Sequence, residues 1–225
     1  MIIVGDLHGN FGVIERFLSV YPIDNTTFIQ VGDFGIAVGE SIQDTRRDLE
    51  NLAKILKKGN NRLFAIRGNH DHPEYFDNTT YFGAIILVED YSRFDIDGRN
   101  VLFVGGGISI DRSIRTKGYD YWKEEEIQPI KGDISNPDIV ISHEGPLIAY
   151  PDNSNLYDEP GNMIKSDALK GRRILQQIFE KRPKQWFYGH YHRSHNEIIN
   201  GTVFNLLNIN EFYDNGIIPF SVILK

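Results

Sequence analysis

Three short apolar runs in the first third of the chain are each followed within two residues by a glycine and a polar residue. The runs cover residues 2–4, 28–31 and 63–66, and they lead to Gly5-Asp6, Gly32-Asp33 and Gly68-Asn69. Apolar runs of this length that end at glycine predict buried β-strands. We therefore expect three strands whose ends all carry polar side chains.

Helical periodicity separates these strands. Phe11, Ile14 and Leu18 share one face of a short helix, and a longer apolar stripe recurs at intervals of three and four residues. The stripe consists of Leu49, Leu52, Ala53 and Leu56. Strands that alternate with helices predict an α/β fold with a parallel sheet and helices on its faces.

The pattern continues along the rest of the chain with further strands and one more helix. Strands are predicted over residues 82–88, 101–104, 139–142, 185–188, 203–207 and 217–224, and a helix over 167–181. The least regular stretches, residues 105–136 and 150–165, are predicted as loops, and loops often carry function. Without a convincing linker, residues 1–225 are expected to form a single domain.

Composition narrows the chemistry. The net charge of the 225 residues is −7, so long duplex DNA is not an expected partner. With no cysteine, metal ligands must be imidazole, carboxylate or amide groups. Residues 1–4 read as a strand rather than a signal peptide, and no apolar run approaches the roughly 20 residues that span a bilayer. A cytoplasmic location without membrane contact is the expectation.

Metal-binding side chains follow five of the predicted strands. They are Asp6 with His8, Asp33, Asn69 with His70, His143, and His190 with His192. The carboxyl ends of strands in an α/β sheet converge on one edge, where ligands bind. On an extended segment, side chains two residues apart point the same way, so the Asp6–His8 and His190–His192 pairs are each expected to clamp one ion.

These donors suit borderline or hard divalent metals. Mn is favoured, with Fe, Zn, Co or Ni as alternatives. Asp33 is a candidate bridge between two ions roughly 3.5 to 4 Å apart, and the water between them would then lose a proton near neutral pH. The resulting hydroxide would attack phosphorus in line, which predicts hydrolysis of a phosphoester.

Five motifs in order carry a family resemblance. Asp6-Leu7-His8-Gly9, Gly32-Asp33, Gly68-Asn69-His70-Asp71, Ser142-His143 and Gly189-His190-Tyr191-His192 resemble the motifs of calcineurin-like metallophosphoesterases. The resemblance implies two β-sheets packed as a sandwich, helices on the outside, and a dinuclear site at the sheet ends.

The resemblance also implies roles. One metal would take Asp6, His8, Asp33 and His192, and the other Asp33, Asn69, His143 and His190. His70 would be the acid beside the leaving group, a role that an imidazole near two cations can fill. Asp71 is a catalytic candidate that would orient His70.

Substrate contacts are predicted outside the metal ligands. Arg112, Arg115 and Trp122 lie in the irregular stretch, where arginine can grip a phosphate and tryptophan can stack on a ring. Asn10 is either the N-cap of the first helix or a phosphate contact. Gly105-Gly106-Gly107 lacks the lysine of a P-loop, so a close backbone approach to the metal site is the preferred interpretation.

Three functions remain open. The Gly189-His190-Tyr191-His192 motif looks more like the phosphodiesterase and nuclease branch, which favours a nucleotide-type or other small diester. A phosphomonoesterase is the alternative, but Phe34-Gly35-Ile36 stands where the protein phosphatase branch carries an arginine after Gly-Asp. A scaffold that kept the fold without the chemistry would be expected to lack ligands, whereas here every motif position is filled.

Overall fold

The computed structural model describes residues 1–37, 42–151, 163–215 and 221–224. One sheet contains seven strands in the order β13-β12-β1-β2-β3-β5-β4. These strands are β1 (Ile2–Val4), β2 (Thr27–Gln30), β3 (Arg62–Ala65), β4 (Thr80–Tyr81), β5 (Ile85–Leu87), β12 (Glu211–Asp214) and β13 (Ser221–Ile223). Strands β1, β2, β3 and β5 are parallel, so their carboxyl ends lie at one edge.

A second sheet contains six strands in the order β10-β11-β9-β8-β7-β6. They are β6 (Arg93–Ile96), β7 (Arg99–Val104), β8 (Ile139–Ser142), β9 (Gln185–Tyr188), β10 (His195–Ile199) and β11 (Thr202–Leu206). Strands β7, β8, β9 and β11 are parallel, while β6 and β10 pair antiparallel at the two edges.

In the described part of the chain, three α-helices cover the outer faces of the two sheets. They are α1 (Gly12–Val20), α2 (Ile42–Lys58) and α3 (Met163–Phe179). One apolar cluster joins α1 and α2 to the first sheet, a second lies between the sheets, and a third joins α3 to the second sheet. The expected two-sheet sandwich flanked by helices is confirmed, and burial of these three clusters is the main force that assembles it.

Several sequence-based boundaries were wrong. Helix α1 begins at Gly12 with Phe11 at the N-cap position and no side-chain cap, so Asn10 is not the helix cap. The strand predicted over 82–88 is shorter, because the chain turns before β5 and Phe82 has a φ of 51°. Of the last predicted strand, residues 217–220 lie outside the described residues.

The irregular stretch 105–136 is loop apart from a 3-10 helix at Lys123–Glu125, as predicted. Of the second predicted loop, the part at 152–162 lies outside the described residues, and α3 already begins at Met163. Within the described residues, no helix combines the length and the hydrophobicity needed to cross a membrane.

Candidate metal centre

Four of the seven proposed ligands, on the loops after the parallel strands, have an unusual backbone conformation. His8, Asp33, His190 and His192 all have positive φ, between 47° and 72°. Each such residue costs about 1–3 kcal/mol, and these conformations cluster at functional sites because surrounding contacts must impose them. One such contact is visible, since the Asp6 carboxylate accepts the backbone N–H of His190 at 3.0 Å.

Because His8, His190 and His192 have positive φ, these pairs of ligands do not lie on extended segments as expected. His8 and His192 come together, with their Nε2 atoms 3.1 Å apart. His190 turns away from His192, and its ring centroid lies 4.9 Å from that of His143. This geometry favours the division of ligands implied by the family resemblance over one ion held by His190 and His192 together, and the ion that each histidine binds stays a prediction.

The first group of donors consists of Asp6, His8, Asp33 and His192. One ligand atom from each lies within 4.8 Å of the others, as a single metal ion requires. The His192 Nε2 is 3.4 Å from Asp6 Oδ2, and the His8 Nε2 is 3.7 Å from Asp33 Oδ2. Both carboxylates are buried, whereas both imidazoles reach the surface.

The second group lies on the other side of Asp33. The His143 Nε2 is 3.1 Å from Asn69 Oδ1 and 3.3 Å from Asp33 Oδ1. The other ring nitrogen, Nδ1, is 3.0 Å from the carbonyl oxygen of Val31, which orients the ring. His143, Asn69 and Asp33 thus direct their donor atoms at one point.

Gly107 lies directly against the side chains of this second group. A Cβ built on Gly107 would lie 3.1 Å from His143 Cδ2, 3.3 Å from Asn69 Oδ1 and 3.4 Å from His190 Cε1. The predicted close approach of the glycine-rich turn is confirmed. The absence of a side chain here leaves room for whatever Asn69, His143 and His190 bind.

Asp33 connects the two groups through separate oxygens. Oδ2 faces His8 while Oδ1 faces His143 and accepts the backbone N–H of His70 at 2.8 Å. Burial opposes its charge, but the adjacent His143, His70 and His8 outweigh burial and lower the pKa of Asp33. An ionised carboxylate with one oxygen toward each group fits two divalent ions, so these residues fit the metal site that the motifs imply.

His70 lies beside the metal ligands and contacts Arg115. An Arg115 N–H donates to His70 Nε2 at 2.9 Å. Burial, reinforced by the Arg115 charge, lowers the pKa of His70 to about 4 against the opposing pull of Asp33. The imidazole is therefore neutral at pH 7, and Nε2 accepts a hydrogen bond in this arrangement.

A family comparison decides what this constellation belongs to. The profile described as calcineurin-like phosphoesterase matches residues 1–194, which includes every proposed ligand. The chain belongs to the calcineurin-like phosphoesterase family. It is accordingly a phosphoric ester hydrolase, and its cluster of two buried aspartates and two histidines is suited to a divalent metal of the kind that this family uses.

Several solved structures are similar to this chain at low sequence identity. One crystal structure is 12% identical with a TM-score of 0.55, over 94% of this chain and 92% of the other. A novel archaeal phosphodiesterase is 13% identical with a TM-score of 0.49 over the full length of both chains. A putative 5'-nucleotidase from Staphylococcus aureus is 14% identical with a TM-score of 0.46, over 94% of this chain and 49% of that chain. No curated protein matches the sequence.

Asp71 has a different place in this phosphoesterase from the one predicted. Its carboxylate is fully buried and accepts the backbone N–H groups of Phe34, Gly35, Ile36 and Gly68 at 2.7–3.0 Å. No hydrogen bond in the described part of the chain joins it to the His70 ring. Asp71 therefore braces the turn after Asp33 against the turn that carries Asn69, rather than orienting His70.

A cavity of about 720 Å³ opens at the metal centre, and only one of the four predicted substrate residues is among its described lining. Arg115 lines it, but Arg112 pairs instead with Asp167 at 2.6 Å. Trp122 is 7% exposed and packs on His72, and Asn10 lines a separate cavity beside α1. The described lining of the main cavity does not include Arg112, Trp122 or Asn10. The structure therefore supports only Arg115 as a direct contact to substrate.

Sequence reasoning missed several residues around this cavity. Its described lining also includes Ile108, Ile110, Asp111, Tyr150, Pro151, Tyr191 and Arg193. Behind Asn69, the side-chain amide donates to Ser109 Oγ at 3.2 Å, and Ser109 donates to the buried Glu125 at 2.6 Å. Burial raises the pKa of Glu125 to about 7, although the hydrogen bonds from Ser109 oppose the shift. No periodicity connects residues 69, 109 and 125, so the sequence alone carried no signal for this series of hydrogen bonds.

Proposed function

We propose that this phosphoesterase hydrolyses a nucleotide-type or other small phosphodiester, using two divalent ions held on either side of Asp33. The observation that carries the proposal is the placement of Asp33, with one carboxylate oxygen toward His8 and the other toward His143. Of the remaining proposed ligands, Asn69, His190 and His192 line one cavity together with Asp33. Bound there, the ions would supply Lewis acidity and an activated water.

The residues above the ions bind and orient the substrate. Arg115 is held by Asp111 at 2.7 Å and by the Asp120 carbonyl at 3.2 Å, so its guanidinium is fixed over the cavity. A phosphoryl oxygen is a stronger acceptor for arginine than a neutral imidazole. We expect substrate to draw the Arg115 N–H away from His70 Nε2, so that this nitrogen can take up a proton from water and donate it to the leaving oxygen.

Size and charge favour a small substrate. The cavity volume of about 720 Å³ lies within the range of small-molecule sites. The net charge of −7 disfavours a long polyanion. Phe34-Gly35-Ile36 leaves no arginine immediately after Asp33, and of the described arginines that line the cavity, Arg115 is the one that contacts His70. A phosphomonoester with two charges to neutralise is the less favoured substrate.

The proposal is tested with purified protein loaded with Mn and assayed on an aryl phosphodiester, the matching aryl monoester, cyclic nucleotides and short single-stranded oligonucleotides. We expect higher kcat/KM for a diester than for the monoester. Arg112→Ala serves as the control variant and should keep the same substrate preference as wild type, because Arg112 pairs with Asp167 and is not among the described residues that line the cavity. Higher kcat/KM for the monoester would contradict the diester assignment. Manganese as the native metal and the cytoplasmic location stay predictions.

A further inference from the structure

Glu144 is a buried carboxylate beside the metal centre that the proposed mechanism does not use. It follows His143 at the end of β8 and is 2% exposed. Its Oε1 accepts the backbone N–H of Gly145 at 2.8 Å and a short hydrogen bond from the Tyr191 hydroxyl. Its Oε2 is buried without a hydrogen-bond partner and lies 3.8 Å from His190 Nε2.

A buried carboxylate oxygen without a donor is costly, so the surroundings must compensate for it. The polar atom that faces Oε2 is the ring nitrogen of His190, one of the proposed ligands of the second ion. A histidine that binds a metal through one nitrogen carries a hydrogen on the other, and a carboxylate is among its usual acceptors. A small rotation of either side chain would shorten the 3.8 Å separation to a hydrogen bond.

The position of Glu144 is fixed from behind by a second buried charge. Arg172, which is fully buried, donates to the carbonyl oxygens of Pro146 and Ala149 at 2.8 and 2.6 Å. It also donates to the Tyr191 hydroxyl at 3.2 Å. Arg172, Tyr191 and Glu144 thus form a continuous series that ends at His190, and a carboxylate held this way has little freedom to turn elsewhere.

We propose that Glu144 is a positioning residue for the second metal site. It accepts the Nε2–H of His190 and so holds that ring in place to bind the ion. The inference rests on the proposed dinuclear site. His143 already has the corresponding partner in the Val31 carbonyl, at 3.0 Å from its Nδ1. A carboxylate in that place holds the His190 ring and increases the basicity of its metal-facing nitrogen more than a carbonyl does.

The test is a calorimetric titration of metal-free protein with Mn²⁺, without substrate, in wild type and Glu144→Gln. The Tyr191 and Gly145 donors require the glutamine oxygen at the Oε1 position, which turns its NH2 group toward His190 Nε2–H. We expect the Kd of the second ion to rise about 10- to 100-fold and that of the first ion to change less than about threefold. A second-ion Kd unchanged by the substitution would overturn the inference.

Glu197→Gln is a matched control. Glu197 also accepts a backbone N–H, from Tyr150 at 2.7 Å, and its Oε2 lies 3.9 Å from His195 Nε2. Because His195 is not a proposed ligand, both ion affinities should be retained in this variant. Loss of the second ion in Glu197→Gln as well would show a general effect of such substitutions and overturn the specific role of Glu144.

Tyr191→Phe provides a second variant if Glu144→Gln does not fold. It keeps the carboxylate but removes the hydroxyl that fixes it, so a smaller rise in the second-ion Kd, roughly 3- to 10-fold, is expected. An unchanged second-ion Kd would contradict the inference. If wild type binds only one ion, the dinuclear proposal itself fails and takes this inference with it. Two ions in wild type with no effect of either variant would overturn the role of Glu144 alone.

Discussion

The Asp71→Asn substitution tests whether this carboxylate braces the site or orients His70. Asparagine keeps the shape of the side chain but replaces one acceptor oxygen with an NH2 group. Each oxygen of Asp71 accepts two backbone N–H groups, Oδ1 from Gly35 and Ile36 and Oδ2 from Phe34 and Gly68. Whichever way the amide turns, two buried N–H groups lose their acceptor.

The expected cost follows from those two groups. An unsatisfied buried donor costs about 1–3 kcal/mol, so Asp71→Asn should lower the free energy of unfolding by roughly 2–6 kcal/mol. Burial and the charge of Asp33 raise the pKa of Asp71 to about 7, against the hydrogen bonds from the backbone amides. Above that pKa the side chain is ionised and accepts all four hydrogen bonds, but its buried charge also costs stability that the neutral asparagine avoids. The net loss at about pH 8 is therefore expected at the lower end of the range, about 2 kcal/mol.

Urea unfolding of metal-free protein at about pH 8 measures the difference. Asp77→Asn is the control, because Asp77 is exposed and accepts one local backbone N–H, from Thr79 at 2.9 Å, and its substitution should cost less than about 0.5 kcal/mol. If Asp71→Asn loses turnover but unfolds within about 0.5 kcal/mol of wild type, the brace is refuted and an orienting role toward His70 is favoured.

Three further substitutions test other parts of the site. Arg115→Ala should reduce kcat/KM about 10- to 100-fold, whereas Arg112→Ala should leave it nearly unchanged; equal losses would show that position in the cavity does not matter. Gly107→Ala should weaken binding of the second ion roughly tenfold in the same calorimetric titration, because its Cβ would lie 3.1 Å from His143 Cδ2. Burial raises the pKa of Glu125 from 4.5 to about 7, so its contribution to stability is greatest below pH 4.5 and falls as the pH rises to 7. Unfolding of Glu125→Gln across this range should lack that fall, which amounts to about 3 kcal/mol at most, and an unaltered pH profile would contradict the assignment.

The local pattern of the sequence predicted the elements that have a strong apolar signal. The buried runs of β1, β2, β3, β8 and β9 appear where expected, and the polar residues after them do reach one site. The edge strands β6 and β10 were missed, because each carries exposed side chains and their apolar signal is weak: Ile96 is the one buried apolar residue of β6, and β10 has none. Such strands form through pairing with a neighbour, which a single segment does not reveal.

Side-chain directions at the site were beyond local reasoning. The left-handed backbone at His190 accompanies a hydrogen bond from its N–H to Asp6, which lies 184 residues away in the chain. Spacing within the motif, which assumes an extended segment, therefore does not describe the backbone at His190 and His192. The buried contacts of Asp71 and Glu144 likewise depend on segments that only the assembled sandwich brings together.

The most direct test of the central claim is turnover of an aryl phosphodiester as Mn²⁺ is added stepwise to metal-free wild type and to Asp33→Asn. A site with two ions on either side of Asp33 predicts no turnover without metal, and full activity in wild type only when the second equivalent has bound. It also predicts that Asp33→Asn, which replaces the shared carboxylate with a neutral amide, binds both ions poorly and stays inactive. Turnover by the metal-free protein, or by Asp33→Asn at the wild-type rate, would contradict it.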